Sequence, residues 1–358
     1  MNAFAAAIPA FLAMLVFGSP AHAVDRPPQF VAIAFDNCTE LERWQELSDL
    51  AGELNRDGER IHFTFFVSGI NYLANDKRNL YEAPHQRRGA SNINFGGSAE
   101  EVEKRIAFIN DLYARGHEIA SHAVGHFDGR GWSAADWLKE FASYADLVDN
   151  AGRNNGLPDS VKLAFPASAV TGFRAPYLST SPGLYPALRE RGFRYDTSST
   201  SEASFWPEKK DGLWRFNLAD LKLHRSKRHT LSMDYNFFIV QAFGLDNSST
   251  RAQHRDEMLE TYIDYFRANY SGNRAPIDIG HHFFNYHGGA YNEALKAFAR
   301  AVCGLPEVHC TTYAGLANFM DKLDPATLEA FRKGDFEHRA APEIDLSNAF
   351  ARSSKPDR

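Results

Sequence analysis

The chain has 358 residues, 44% of them hydrophobic, with 28 Phe and 14 Tyr, enough for one large barrel or two ordinary domains. A formal net charge of −6, with Lys and Arg scattered along the chain, excludes the basic footprint of a nucleic-acid binder. The one basic cluster, residues 224–228, reads as a solvated loop.

Residues 3–18 are apolar and small and carry no charge, and Ala21-His22-Ala23 has the small-x-small form of a signal-peptidase site. The stretch is short for a membrane span, and no later segment reaches spanning length. Residues 1–23 are therefore expected to be a signal peptide, and the mature chain to be periplasmic or secreted. Three cysteines follow. Cys303 and Cys310 flank a short segment able to fold back on itself, which in an exported chain predicts a disulfide. Cys38 is expected to be a buried small apolar residue.

From Phe30 onward, short apolar runs alternate with helical periodicity. FVAIAF (30–35) reads as a buried strand with a helix over 41–55 behind it, and HFTFFV (62–67) as the next strand. Residues 71–97 are polar and rich in Asn, Gly, Arg and Pro; their length predicts a lid or substrate loop. Ser98 and Glu101 form a capping box that opens a helix ended by Gly116. EIASHAVGH (118–126) is the next strand, and its His122 and His126, four apart, would share one side of a helical turn. Ser133 starts another helix. GFRAPYL (172–178), a helix over 182–190 and strand 194–199 follow. TLSMDYNFFIV (230–240) reads as strand, 255–270 as an amphipathic helix, APIDIGHHFF (275–284) as the last strong strand and 294–302 as helix. The alternation predicts an α/β fold, a (β/α) barrel or open sheet, in a single domain over 24–325, with a charged tail at 326–358.

Polar residues stand at four strand ends where apolar ones would be expected: Asp36-Asn37, His122 with His126, Arg174, and His281-His282. Strand C-termini are where barrels build active sites. These segments, in this order, resemble the polysaccharide deacetylases of carbohydrate esterase family 4, with the NodB-homology fold, and most closely their chitin-deacetylase-like members. Phe35-Asp36-Asn37 matches T-F-D-D, 122–126 matches H-x-x-x-H, Arg174-Ala175-Pro176-Tyr177 matches R-x-P-Y, and Ile279-Gly280-His281-His282 matches L-x-x-H. Residues 195–199 resemble a fourth motif, and Trp206-Pro207 echoes a later W-P. The resemblance runs from about residue 30 to residue 320.

It implies a distorted (β/α)7-8 barrel that removes acetyl groups from an N-acetylated glycan, with a divalent metal, zinc by ligand type, on His122, His126 and the residue at position 37. The family has a second carboxylate there; this chain has Asn37, whose amide oxygen can coordinate but brings no charge. By the same resemblance Asp36 is the general base, Arg174 its tether, and the backbone N–H of Tyr177 an oxyanion donor. His282 is the acid, with His281 as the alternative, and Asp196 is its carboxylate partner, with Asp234 as the alternative. Pro176, Trp206 and Ile279 are expected to face substrate. Tyr72, Phe95 and Trp132 are read as core or as sugar-stacking rings. No protein partner is implied. The other readings on this scaffold are hydrolysis of a different non-peptide C–N bond, and a catalytically silent glycan binder.

Overall fold

The computed structural model describes residues 24–346 and residue 350, so the expected signal peptide at 1–23 lies outside the described residues. Among the described residues the strands are β1 Gln29–Asp36, β2 Thr64–Val67, β3 Glu118–Ser121, β4 Gly172–Phe173, β5 Tyr195–Glu202, β6 Glu208–Lys210, β7 Leu213–Lys222, β8 His229–Leu231, β9 Ile277–His282 and β10 Val308–Cys310. They form one sheet in the order β10-β1-β2-β3-β4-β5-β7-β6, with β9 on β1 and β8 on β7. The run β9-β1-β2-β3-β4-β5-β7 is parallel throughout. Between β7 and β9 the ring is spanned by one short segment: Ser232 N–H donates to Ala219 O (2.8 Å) and Gly280 N–H donates to Ser232 O (2.9 Å). Beside it, Met233 makes a single parallel bridge to Gly280. This is a barrel of seven parallel strands, distorted as the resemblance implies, and it is not fully closed.

The two-residue period of β1 sorts its side chains. Val31, Ile33 and Phe35 join the layer between sheet and helices, while Phe30, Ala32 and Ala34 belong to the inner core. Asp36 continues the inner series at the strand's end. Small residues at Ala32, Ala34, Ala120 and Gly280 leave room inside for Phe66, Tyr195, Phe216 and Tyr313. A Cβ at Gly280 would lie 2.7 Å from Met233 Cε and 3.3 Å from Arg174 Nη1, so a larger residue there would have to displace the Met233 side chain.

The predicted capping box at Ser98 with Glu101 is present, and Ser133, expected to start a helix, forms a second box with Asp136. Cys303 and Cys310 are disulfide-bonded with Cα atoms 5.7 Å apart, and Cys38 is buried and free. Three expectations change. Only His229–Leu231 of the 230–240 stretch is strand, and Asp234–Ala242 is helix. Residues 71–97 are no free lid: they include the 3-10 turn Asn75–Leu80 and dock on the 122–126 loop, where Asn92 N–H donates to Gly125 O (2.9 Å). The packed unit also passes residue 325, because helix Pro325–Lys333 buries Leu328 and Phe331 in the inner core.

Candidate active site

Parallel register brings the strand-end residues together. Asp36 on β1 pairs directly with His282 on β9, so the two side chains are cross-strand neighbours on the inner face. Arg174 follows β4 and is completely buried. Its Nη1 donates to Asp36 Oδ1 at 2.9 Å, its Nε to Thr197 Oγ1 at 2.7 Å and its Nη2 to Tyr313 Oη at 3.2 Å. The guanidinium also lies over the Phe66 ring, 4.3 Å from its centroid. A buried ion pair is tolerable only when its remaining donors are used, and here Thr197 and Tyr313 take them.

The second charged pair is His282 with Asp234. His282 Nδ1–H donates to Asp234 Oδ1 (2.7 Å) and the His282 backbone N–H to Asp234 Oδ2 (2.9 Å). Burial works against the imidazolium, but the Asp234 charge and hydrogen bond outweigh it and raise the His282 pKa. Burial also opposes the carboxylate of Asp234, and the electrostatic and hydrogen-bond interactions with His282 outweigh it, holding its pKa below the ordinary value. Asp234 opens its helix at the point where the Met233 bridge meets β9, which is why residues 48 apart in sequence touch.

Asp196, the first-choice partner for the acid, lies elsewhere. Its Oδ1 accepts from Ser198 Oγ (2.5 Å) and its Oδ2 is 3.4 Å from Arg215 Nη1. Ser198 Oγ in turn accepts the Ala175 N–H (2.8 Å), so Asp196 supports the segment that carries Arg174 and Tyr177. The reason is register: Asp196 pairs with Phe173 and Arg215, one strand away from β9's side of the barrel. His281 points outward, fully buried, with Nε2 3.2 Å from Tyr262 Oη, and burial lowers its pKa to about 4.

His122 and His126 leave the end of β3 on a loop rather than a helical turn, with Ala123 and His126 at φ 56° and 55°. Their ring centroids are 5.0 Å apart. His122 Nδ1–H donates to Arg174 O (2.8 Å), which fixes the tautomer and leaves Nε2 as the unprotonated nitrogen. Burial lowers the pKa of both rings, that of His126 to about 3 with His122 adding to the effect, so both are neutral, as ligands must be.

Among the described residues no cluster of three or more His, Cys, Asp or Glu side chains forms a metal cage. The polar atoms at hand are neutral. Asn37 Oδ1 and His126 Nδ1 are buried with no hydrogen-bond partner. Buried polar atoms without partners are costly, and two of them at positions 37 and 126 fit a cation held by Asn37, His122 and His126.

Tyr177, at φ 57°, stands 58% exposed with its ring 4.6 Å from that of His126. Pro176 is buried at the start of the same turn. Two other expected substrate contacts are not at the site. Trp206 is 3% exposed, donates from Nε1 to Asn273 O (2.7 Å) and packs on Phe331 at the opposite end of the barrel. Ile279 is fully buried in the sheet–helix layer, because its register on β9 is the outward one. Tyr72, Phe95 and Trp132 are core residues. The rings near His282 are instead Tyr235, Phe284 and Tyr286, at 6.4, 6.5 and 5.9 Å between centroids.

No family model matches the chain. In sequence it is 26% identical over 185 residues to chitin deacetylase 1 of Bombyx mori, covering 49% of this chain and 26% of that protein. It is 28% identical over 166 residues to chitin deacetylase 8 of Bombyx mori, covering 46% and 40%. The chain thus spans less than half the length of these curated relatives. In structure it matches a Mycobacterium smegmatis protein assigned to the polysaccharide deacetylases, with a TM-score of 0.52 at 17% identity over 86% of this chain and 96% of that one. The chain thus shares the fold of that polysaccharide deacetylase and is similar in part of its sequence to two chitin deacetylases, in agreement with the resemblance carried by its motifs.

Proposed function

We propose that the protein is an exported, metal-dependent deacetylase that hydrolyses N-acetyl groups of a polysaccharide or oligosaccharide. The observation that carries this reading is the pairing of Asp36, tethered by Arg174, with His282, held by Asp234, across adjacent strand ends. A glycan binder has no use for a tethered carboxylate facing an imidazole that a second carboxylate holds in place. A divalent cation held by His122, His126 and Asn37 would polarise the acetyl carbonyl. Asp36 takes a proton from the attacking water as general base, and Arg174 keeps its carboxylate aimed. The Tyr177 backbone N–H donates to the oxygen on which charge develops. As the C–N bond breaks, His282 gives a proton from Nε2 to the departing amine, while its Nδ1–H stays on Asp234.

Exposed rings support a sugar as substrate. Tyr177 beside His126, and Tyr235 and Phe284 beside His282, offer faces for the apolar sides of pyranose rings. The Cys303–Cys310 disulfide supports an oxidising compartment, and among the described residues no helix is long and apolar enough to cross a membrane. The test is acetate release from chito-oligosaccharides, peptidoglycan fragments and an acetylated exopolysaccharide, with zinc supplied. Release from one of these, abolished by His122→Ala, is the expected result. Glycan binding without release from any of them would make the protein a silent binder, the role in which Asn37 costs nothing.

A further inference from the structure

The loop that presents His122 and His126 holds two non-glycine residues in the left-handed region, Ala123 and His126. That shape is unfavourable and persists only when its surroundings impose it. Its surroundings converge on one carboxylate. Glu140, on helix Ala134–Asp149, is fully buried, and its Oε1 accepts from the N–H of Val124 (3.0 Å) and of Gly125 (3.4 Å). The Tyr81 hydroxyl, from the 71–97 segment, lies 2.9 and 3.0 Å from the two Glu140 oxygens and donates to that carboxylate, while accepting the Gly125 N–H at 3.1 Å. Asn92 Nδ2 adds a bond to His126 O at 3.2 Å. Gly125 fits with no room to spare, since a Cβ there would meet Tyr81 Cε1 at 2.7 Å.

Among the described residues Glu140 makes no ion pair, and burial pushes its carboxyl up to about 7 although Tyr81 and the two backbone N–H groups oppose the shift. An acidic group kept in the interior at that cost needs a purpose, and every bond it makes goes to the loop or to the residue that braces it. We infer that Glu140 and Tyr81 form a clasp that fixes the loop between His122 and His126, making Glu140 a positioning residue for both imidazoles. The inference rests on reading those imidazoles as ligands, but the shape of the loop can be observed without any metal.

The test compares wild type, Glu140→Ala, Glu140→Gln and Tyr81→Phe in the full mature chain. Imidazole signals of His122 and His126 are followed by nuclear magnetic resonance without metal, and zinc affinity by titration. Glu140→Ala is expected to broaden or split both imidazole signals and to weaken zinc binding about tenfold or more, the usual effect of losing a group that orients ligands. Glu140→Gln keeps an acceptor for the backbone N–H groups and is expected to restore most of both. A folded Glu140→Ala with unchanged imidazole signals overturns the clasp. If Glu140→Ala does not fold, Tyr81→Phe, which removes only the hydroxyl, decides in its place by the same signals. Wild type that binds no zinc, with imidazole signals still disturbed by Glu140→Ala, would remove the metal reading and leave the clasp standing.

Discussion

At the scale of single residues the site is two charged pairs and a neutral donor set, and each makes its own prediction. The acid pair predicts a pH dependence. Burial opposes the imidazolium, but the Asp234 charge outweighs it and raises the His282 pKa, so the protonated imidazole is lost only as pH rises through the raised value. The alkaline limb of kcat/KM is therefore expected to follow His282, and Asp234→Asn should move it to lower pH; a limb that stays in place would separate His282 from the rate. The donor set predicts a weak metal site, since Asn37 brings an oxygen without charge. Asn37→Asp should raise zinc affinity, read by competition with a chelator, and an unchanged affinity would mean that position 37 is not a ligand. Asp36, His122, Arg174 and His282 were legible because each interrupts an apolar strand pattern at its C-terminal end. Asp234 was legible only as an alternative to Asp196, because its contact with His282 depends on how the chain crosses the gap between β7 and β9. Glu140 left no signal in sequence: it occupies an inward position of an amphipathic helix, where a carboxylate looks like a break in the stripe.

At the scale of elements the clearest misreading was NFFIV at 236–240. Aromatic and β-branched residues in a run favour a strand by propensity, yet the segment is helical from Asp234 to Ala242. Tertiary context decides here. The chain must turn after the Met233 bridge so that Asp234 reaches His282, and a helix started at that residue does so. The cost is visible on the outside, where Tyr235 and Ile239 are 45% and 40% exposed. The capping box at Ser98 and the helix start at Ser133 were legible because a cap is local: its partners are three residues apart whatever the fold. The box at Ser133 begins the helix that carries Glu140. Ser133→Ala is expected to lower stability by about 1 kcal/mol in denaturant unfolding, and a change near zero would show that Asp136 alone caps this helix.

For the whole molecule, alternation of strand and helix predicted a barrel or an open sheet without deciding between them, and the incomplete closure had no signal in sequence. Closure depends on two backbone hydrogen bonds of Ser232 and the bridge between Met233 and Gly280, and no periodicity reports on so short a segment. The C-terminal boundary was misplaced for a related reason: residues 325–333 look charged in sequence but bury Leu328 and Phe331 beside Trp206. The disulfide ties the end of the last long helix to β10, and closing so short a loop stabilises modestly. Replacing both Cys303 and Cys310 with Ser should cost about 2 kcal/mol, read from the shift in unfolding midpoint; no shift would make the bond dispensable to the fold.

Hydrolysis with Asp36 as base is the proposed activity of this barrel. The most direct measurement is the rate of acetate release from an N-acetylated oligosaccharide by zinc-supplied wild type and by Asp36→Asn, with substrate affinity measured in parallel. The prediction is release by wild type and a loss of about a hundredfold or more in Asp36→Asn, with binding retained. Equal rates in the two proteins, or no release by wild type from any N-acetylated glycan, would contradict it.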